Sequence, residues 1–157
     1  MIERILFICT GNAARSPVCE YLTKHYSKRR GLKLIVESAG FINAFSFMLP
    51  ESSRFLSSKG INHSDFRPQL VNNELLKRQD LIITMEMQHK NELINNFMIE
   101  DIEKKTFTLK EFNGCKNDLD IIDPYYTNNE TYDKILLEID ANIQKLVDKI
   151  VKLNKLN

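Results

Sequence analysis

The sequence predicts an α/β fold, a single domain with a four-stranded parallel sheet flanked by helices on both faces. Three observations predict it. Short apolar runs alternate with helical segments along the chain. The runs are apolar at successive positions rather than at every second one, which suits strands covered on both sides. No Pro/Gly-rich linker, internal repeat or low-complexity tract divides the 157 residues, a length that fits one domain spanning 1–157 with a proper core.

Ile5-Leu6-Phe7-Ile8 is the first strand. Pro17 suits the first turn of a helix carrying Val18, Cys19, Leu22 and Tyr26 at helical spacing, with Gly31 as its stop. Leu34-Ile35-Val36 reads as a second strand, and Pro50 opens a helix bearing Phe55 and Leu56 that ends at Lys59-Gly60. Leu81-Ile82-Ile83 is a third strand, Glu86 to Phe97 a helix, and Thr106-Phe107-Thr108-Leu109 a fourth strand. From about Glu130 one long amphipathic helix carries Ile135, Ile139, Ile143, Leu146, Ile150 and Leu153. That stripe is expected to dock on the sheet, with a coiled-coil or partner face as the alternative. Right-handed crossovers put such helices on both faces, and ligands bind beyond the carboxyl ends of the strands where strand order reverses. The loop after the first strand is therefore the place to look for chemistry.

Hydrophobic residues make up 43% and charged residues 27%, and 22 Lys plus Arg face 21 Asp plus Glu. That balance offers no general pull toward nucleic acid or acidic membranes. The apolar run after Met1-Ile2-Glu3-Arg4 is too brief for a secretory segment, and no stretch approaches the ~20 apolar residues of a membrane span, so the expected location is the cytoplasm. Three cysteines (Cys9, Cys19, Cys115) without paired spacing argue against a disulfide framework or a zinc site. His25, His63 and His89 stand apart in sequence and read as surface or internally satisfied side chains. No metal and no cofactor is expected.

The loop after the first strand reads Cys9-Thr10-Gly11-Asn12-Ala13-Ala14-Arg15-Ser16-Pro17. A loop wrapped over a helix N-terminus turns successive N–H groups inward and makes a nest for a tetrahedral oxyanion. Gly11 is expected to supply close backbone approach or positive φ, and Asn12 also tolerates the left-handed region. Arg15 can grip two phosphate oxygens with its planar fork. The nest and the helix dipole favour a thiolate at Cys9, and Ser16 can donate a hydrogen bond to that sulfur.

Cys-x-Gly-Asn-x-x-Arg-Ser-Pro after a hydrophobic strand resembles the signature of low-molecular-weight protein tyrosine phosphatases. The resemblance continues through Ser38-Ala39-Gly40, Pro50, Gly60-Ile61 and Gln69-Leu70 to Asp123-Pro124-Tyr125-Tyr126, which is similar to the family's general-acid loop. It implies that Cys9 is the nucleophile, Arg15 the phosphate clamp and Asp123 the acid and then the base, with a phosphocysteine intermediate. Asp120 is the second candidate acid. Thr10, Gly11, Asn12, Ala13, Ala14 and Ser16 would bind phosphate, and Tyr125 and Tyr126 would wall the cleft. The implied substrate is a phosphotyrosine-containing protein or a small aryl phosphate, and the chain is expected to be a monomer, with weak self-association as the alternative.

The chain departs from the family pattern in four places. Ala14 stands where many members carry a second cysteine able to form a reversible disulfide with the nucleophile; Cys19 is expected in the core rather than as its replacement. Asp65 stands where members often place a histidine that supports the loop through Ser38. The Phe41–Met48 segment is unusually apolar, and Phe45 or Phe47 is expected to wall the cleft, burial or a self-association surface being the alternatives. Ala13 matches neither the threonine that goes with phosphoarginine nor the bulky aliphatic residue that goes with phosphotyrosine. A protein arginine phosphatase of the same family is thus the nearest alternative. A thioredoxin-coupled arsenate reductase would need further cysteines after the third strand, where Thr84 to His89 has none. A non-catalytic phosphate-binding or phosphocarrier domain would lack Arg15 and Asp123.

Overall fold

The computed structural model describes residues 1–157. Four parallel strands, β1 (Arg4–Cys9), β2 (Ile35–Gly40), β3 (Leu81–Thr84) and β4 (Thr106–Thr108), form one sheet in the order β2-β1-β3-β4. The chain runs from β1 outward to β2, then returns to the other side of β1 for β3 and β4. Strand order therefore reverses at β1, and the crevice that ligands favour in such sheets opens at its carboxyl end.

The helices are α1 (Ser16–Arg29), α2 (Pro50–Ser58), α3 (Asn73–Lys77), α4 (Met87–Asn96), α5 (Ile102–Lys105), α6 (Leu109–Phe112) and α7 (Asn129–Lys155). Alternate residues of the central strands serve two cores, which is why their sequences are apolar throughout. Ile5, Phe7, Leu81 and Ile83 face the larger core with α1, α2 and α7. Leu6, Ile8 and Ile82 face a smaller one with Leu75 and Leu76 of α3, Leu93 of α4 and Ile102 of α5. On α7, Ile135, Ile139, Ile143, Leu146 and Ile150 are all buried and Leu153 packs against them. Each such side chain contributes about 1.5–3 kcal/mol by leaving water. The stripe is core, not a coiled-coil seam. No helix is long and apolar enough to cross a membrane.

Boundaries differ from the sequence expectation in specific ways. β2 continues through Glu37-Ser38-Ala39-Gly40, because the ladder with β1 runs on to pair Cys9 with Gly40, and Leu34 lies before it. β4 stops at Thr108, whose hydroxyl accepts the Glu111 N–H and opens α6 at Leu109. Glu86 and Phe97 are caps of α4 rather than members.

Candidate active site

The loop from Cys9 to Ser16 joins β1 to the N-terminus of α1 at the crevice. Its carbonyls are held from outside. Thr10 O accepts from Phe41 N and Ile42 N, Ala13 O from Leu49 N, and Ala14 O from the Ser52 hydroxyl. Ser52 is itself bonded to Tyr132 of α7, so two helices brace this side. With the carbonyls turned outward, the N–H groups of Gly11, Ala13, Ala14 and Arg15 make no hydrogen bond within the chain. Asn12 N–H instead points at Cys9 Sγ, 3.3 Å away. The Ser16 hydroxyl lies 2.9 Å from the same sulfur. Free backbone donors around a thiol at a helix N-terminus form an oxyanion nest.

Asn12, not Gly11, takes the left-handed conformation, at φ 52°. The side chain of Asn12 explains why it bears that conformation. Its amide donates to Ser16 Oγ and Ser38 Oγ, both at 2.9 Å, and its carbonyl accepts Gln69 N–H at 3.0 Å. The expectation that Gly11 supplies positive φ or close approach is corrected: a Cβ there would meet Ala44 at 3.8 Å and Phe45 at 4.0 Å, ordinary contacts. The close approach belongs to Gly40, where a Cβ would sit 2.8 Å from both Asn12 N and Thr10 O. Asp65 does not support the loop through Ser38 either. It accepts the Tyr21 hydroxyl at 2.8 Å, while Ser38 donates to buried Glu20 at 2.7 Å. Glu20, one helical turn beyond Ser16 on α1, reaches that position first.

Arg15 is 1% exposed. Its Nη1 donates to Glu86 Oε2 and to the Ile121 carbonyl, each at 2.6 Å, and the remaining nitrogens donate no hydrogen bond within the chain. One edge of the guanidinium is thus anchored and another left for an oxyanion. Asp123 approaches Nη2 at 3.6 Å through Oδ2, while its Oδ1 accepts Tyr125 N–H. The Asp123 loop is pinned upstream: Ile121 N–H donates to Met85 O, and Asp120 accepts Met87 N–H at 2.7 Å. Asp120 is thereby spent on the start of α4, and Asp123 is the carboxylate that reaches the cleft.

The cleft measures about 410 Å³ and is lined by Cys9, Thr10, Gly11, Ala13, Ala14, Arg15 and Asp123, with Ile42, Ala44, Phe45, Leu49, Tyr125 and Tyr126 as further walls. The structure brings every predicted site residue there except Asn12 and Ser16, which hold the loop from behind. Phe45 rather than Phe47 is the wall: its ring meets Tyr125 edge-on at 5.4 Å, whereas Phe47 is exposed. Tyr126 is 93% exposed and stands at the rim. Ala14 offers no thiol beside Cys9. Cys19 is fully buried against Met85 Sδ at 3.6 Å, and burial pushes its thiol well up, so it is an inert core group.

Four supports escaped the sequence: Glu86, the Ile121 carbonyl, Glu20 and His89. Glu86 and Ile121 come from segments that no local pattern links to the loop, whereas Glu20 sits one turn after Ser16 on α1 and meets Ser38 only because β2 lies alongside. The sequence leaves His89 as a surface or internally satisfied side chain; the structure buries it and gives it Thr10 as a partner. Nowhere do three or more His, Cys, Asp or Glu side chains gather as a metal site.

A parallel sheet that gathers a thiol, a guanidinium and a carboxylate beyond the end of its first strand is the frame of a cysteine-based phosphate hydrolase. The model of the low molecular weight phosphotyrosine protein phosphatase family matches residues 4–156, and the chain belongs to that family. It is 32% identical over 150 residues to the protein-arginine-phosphatase of Bacillus subtilis (strain 168), covering 94% of this chain and 97% of that one. It is 31% identical over 140 residues to the low molecular weight protein-tyrosine-phosphatase Ptp of Acinetobacter johnsonii, covering 88% and 92%. The solved low molecular weight protein tyrosine phosphatase of T. tengcongensis superposes with a TM-score of 0.85 at 36% identity, covering 94% and 99%.

Proposed function

We propose that the chain, acting as one catalytic unit over 1–157, hydrolyses phosphotyrosine in proteins and small aryl phosphates through a phosphocysteine. One observation carries this: Cys9 Sγ, the free N–H groups, Arg15 and Asp123 share one cleft whose remaining walls include Phe45 and Tyr125. The Cys9 thiolate attacks phosphorus in line. The sulfur–phosphorus bond forms as the bond to the phenolic oxygen breaks, and Asp123 gives that oxygen its proton. The nest and the free edge of Arg15 hold the three non-bridging oxygens, where most of the stabilisation arises. Asp123, now a carboxylate, takes a proton from the water that attacks phosphorus. Phosphate leaves, and the sulfur departs as a thiolate eased by the Ser16 hydroxyl at 2.9 Å. No step requires a metal or cofactor. We place the reaction in the cytoplasm, whose reducing environment keeps a thiol nucleophile active. We take the working form to be a monomer.

The relative named protein-arginine-phosphatase, 32% identical, gives a second reading. Ala13 presents only a methyl group and selects against neither substrate, so the aromatic walls favour the phenyl ring. The test compares phosphotyrosine and phosphoarginine peptides with wild type, Cys9→Ser and Asp123→Ala. Cys9→Ser should abolish turnover, and Asp123→Ala should lower kcat on phosphotyrosine by ~10²–10⁴-fold. Full activity in Cys9→Ser would sink the mechanism. Preference for phosphoarginine would overturn only the substrate.

A further inference from the structure

The ring of His89, at the first turn of α4, is 2% exposed and lies behind the loop. Its Nδ1 accepts the backbone N–H of Glu86 at 3.1 Å. That bond leaves the proton on Nε2, which faces the Thr10 hydroxyl at 2.9 Å. The tautomer is therefore set by the chain's own hydrogen bonds. Phe41 stacks on the ring, 5.7 Å between centroids and 28° between planes. Phe41 also donates its N–H to the Thr10 carbonyl. Thr10 is thus gripped twice, by backbone from one side and by imidazole from the other, immediately after Cys9. Glu86, the other end of the imidazole bridge, is the carboxylate that anchors Arg15.

We propose that His89, as a neutral Nε2–H imidazole, is a positioning residue for hydrolysis: it ties the Thr10 end of the phosphate loop to the Glu86 end of the Arg15 anchor. A proton added at Nδ1 would set two donors, Nδ1–H and Glu86 N–H, against each other and break the tie. The charged groups around the ring oppose one another. Arg15 disfavours the imidazolium, while Asp120 and Asp123 favour it, and Glu86 Oε2 lies 3.6 Å from Nε2 but is engaged by Arg15. Burial is the largest influence and, with Arg15, holds the ring neutral down to about 4. The bridge therefore stays intact throughout the neutral and mildly acid range.

This inference rests on the hydrolase reading above, and wild-type turnover of para-nitrophenyl phosphate tests that reading separately. The inference itself is tested by ratios among folded variants from pH 7 to pH 4. His89→Asn keeps an acceptor for Glu86 N–H but no donor that reaches Thr10. His89→Gln carries a donor near the Nε2 position, and Thr10→Val removes the partner. His89→Asn and Thr10→Val should each lower kcat/KM about tenfold, the worth of one well-placed hydrogen bond. The double variant His89→Asn/Thr10→Val should be no slower than either, because both remove one bond. His89→Gln regains the Thr10 bond but leaves Glu86 N–H without its acceptor, so it should recover part of the rate, about threefold below wild type, and its activity relative to wild type should rise about twofold between pH 6 and pH 4 as the titrating ring is gone. Multiplying losses in the double variant would overturn the proposal, as would a fully active Thr10→Val. Equal losses and parallel pH profiles in His89→Gln and His89→Asn would also overturn it. Should His89→Asn fail to fold, Thr10→Val and His89→Gln still decide.

Discussion

Gly40→Ala should damage catalysis by moving the nucleophile's own loop. Gly40 ends β2 and pairs with Cys9 across the ladder. A methyl group there would lie 2.8 Å from Asn12 N and from Thr10 O, and 2.9 Å from Gly11 C. Ordinary contacts to a methyl carbon begin near 3.4 Å, so the loop must retreat by roughly 0.6 Å. These are backbone atoms and no rotamer change relieves them. Overpacking of this kind costs about 1–3 kcal/mol. The rate should suffer too, because a ~1 Å displacement of reacting groups costs about 10²-fold and half that displacement about tenfold. Gly11→Ala is the matched comparison, since its methyl group would meet only Ala44 and Phe45 at 3.8 and 4.0 Å. Urea unfolding should show Gly11→Ala within about 0.5 kcal/mol of wild type and Gly40→Ala well below it. Para-nitrophenyl phosphate turnover should fall about tenfold in Gly40→Ala. Equal stability of the two variants, or full turnover by Gly40→Ala, would refute the claim that close approach resides at Gly40.

Two further outcomes follow from the supports around the loop. The His89 ring titrates at about 4 in the fold against an ordinary 6.5, so the unfolded chain binds more protons between those values. Its contribution to stability is complete above pH 6.5 and is lost as pH falls through 4, about 2 kcal/mol of it between pH 7 and pH 5. Urea midpoints at the two pH values should show that slope in wild type and its absence in His89→Gln; matching slopes would refute it. Glu20→Ala should slow turnover about fivefold by releasing Ser38 and Asn12, whereas Asp65→Asn should leave kcat within about twofold because Asp65 holds only Tyr21. A larger loss in Asp65→Asn than in Glu20→Ala would reverse the assignment.

The legible parts of this molecule are those whose cause is local. Ile5 to Ile8 and Leu81 to Ile83 announce buried strands because both faces of the sheet are covered. Cys9 through Ser16 and Asp123 through Tyr126 announce chemistry because residues adjacent in sequence act together. β2 runs past its apolar residues: Glu37-Ser38-Ala39-Gly40 lacks strand-forming side chains and is held by the Cys9–Gly40 register instead. α3, α5 and α6 have five, four and four residues, fewer than a hydrophobic period needs. The positive φ expected of Gly11 went to Asn12 because a side chain with three partners outweighs the ease of glycine. Glu86, Ile121 and His89 meet the loop from 71 to 106 residues away, a relation that only the folded sheet creates.

The bond from Arg15 to the Ile121 carbonyl gives the guanidinium a structural duty alongside its chemical one. The same side chain that would hold the oxyanion in the proposed reaction also props the segment carrying Asp123, two residues further on. The Cys9 loop and the Asp123 loop are therefore joined by a crossbeam rather than merely set side by side. Replacing Arg15, even by lysine with its charge intact, removes the beam: in the proposed mechanism the phosphate then loses its fork and Asp123 loses its distance from the leaving group in one stroke. Losses at Arg15 and Asp123 are consequently not separate sums. Once the beam is gone, the acid has already lost part of what its own removal would take.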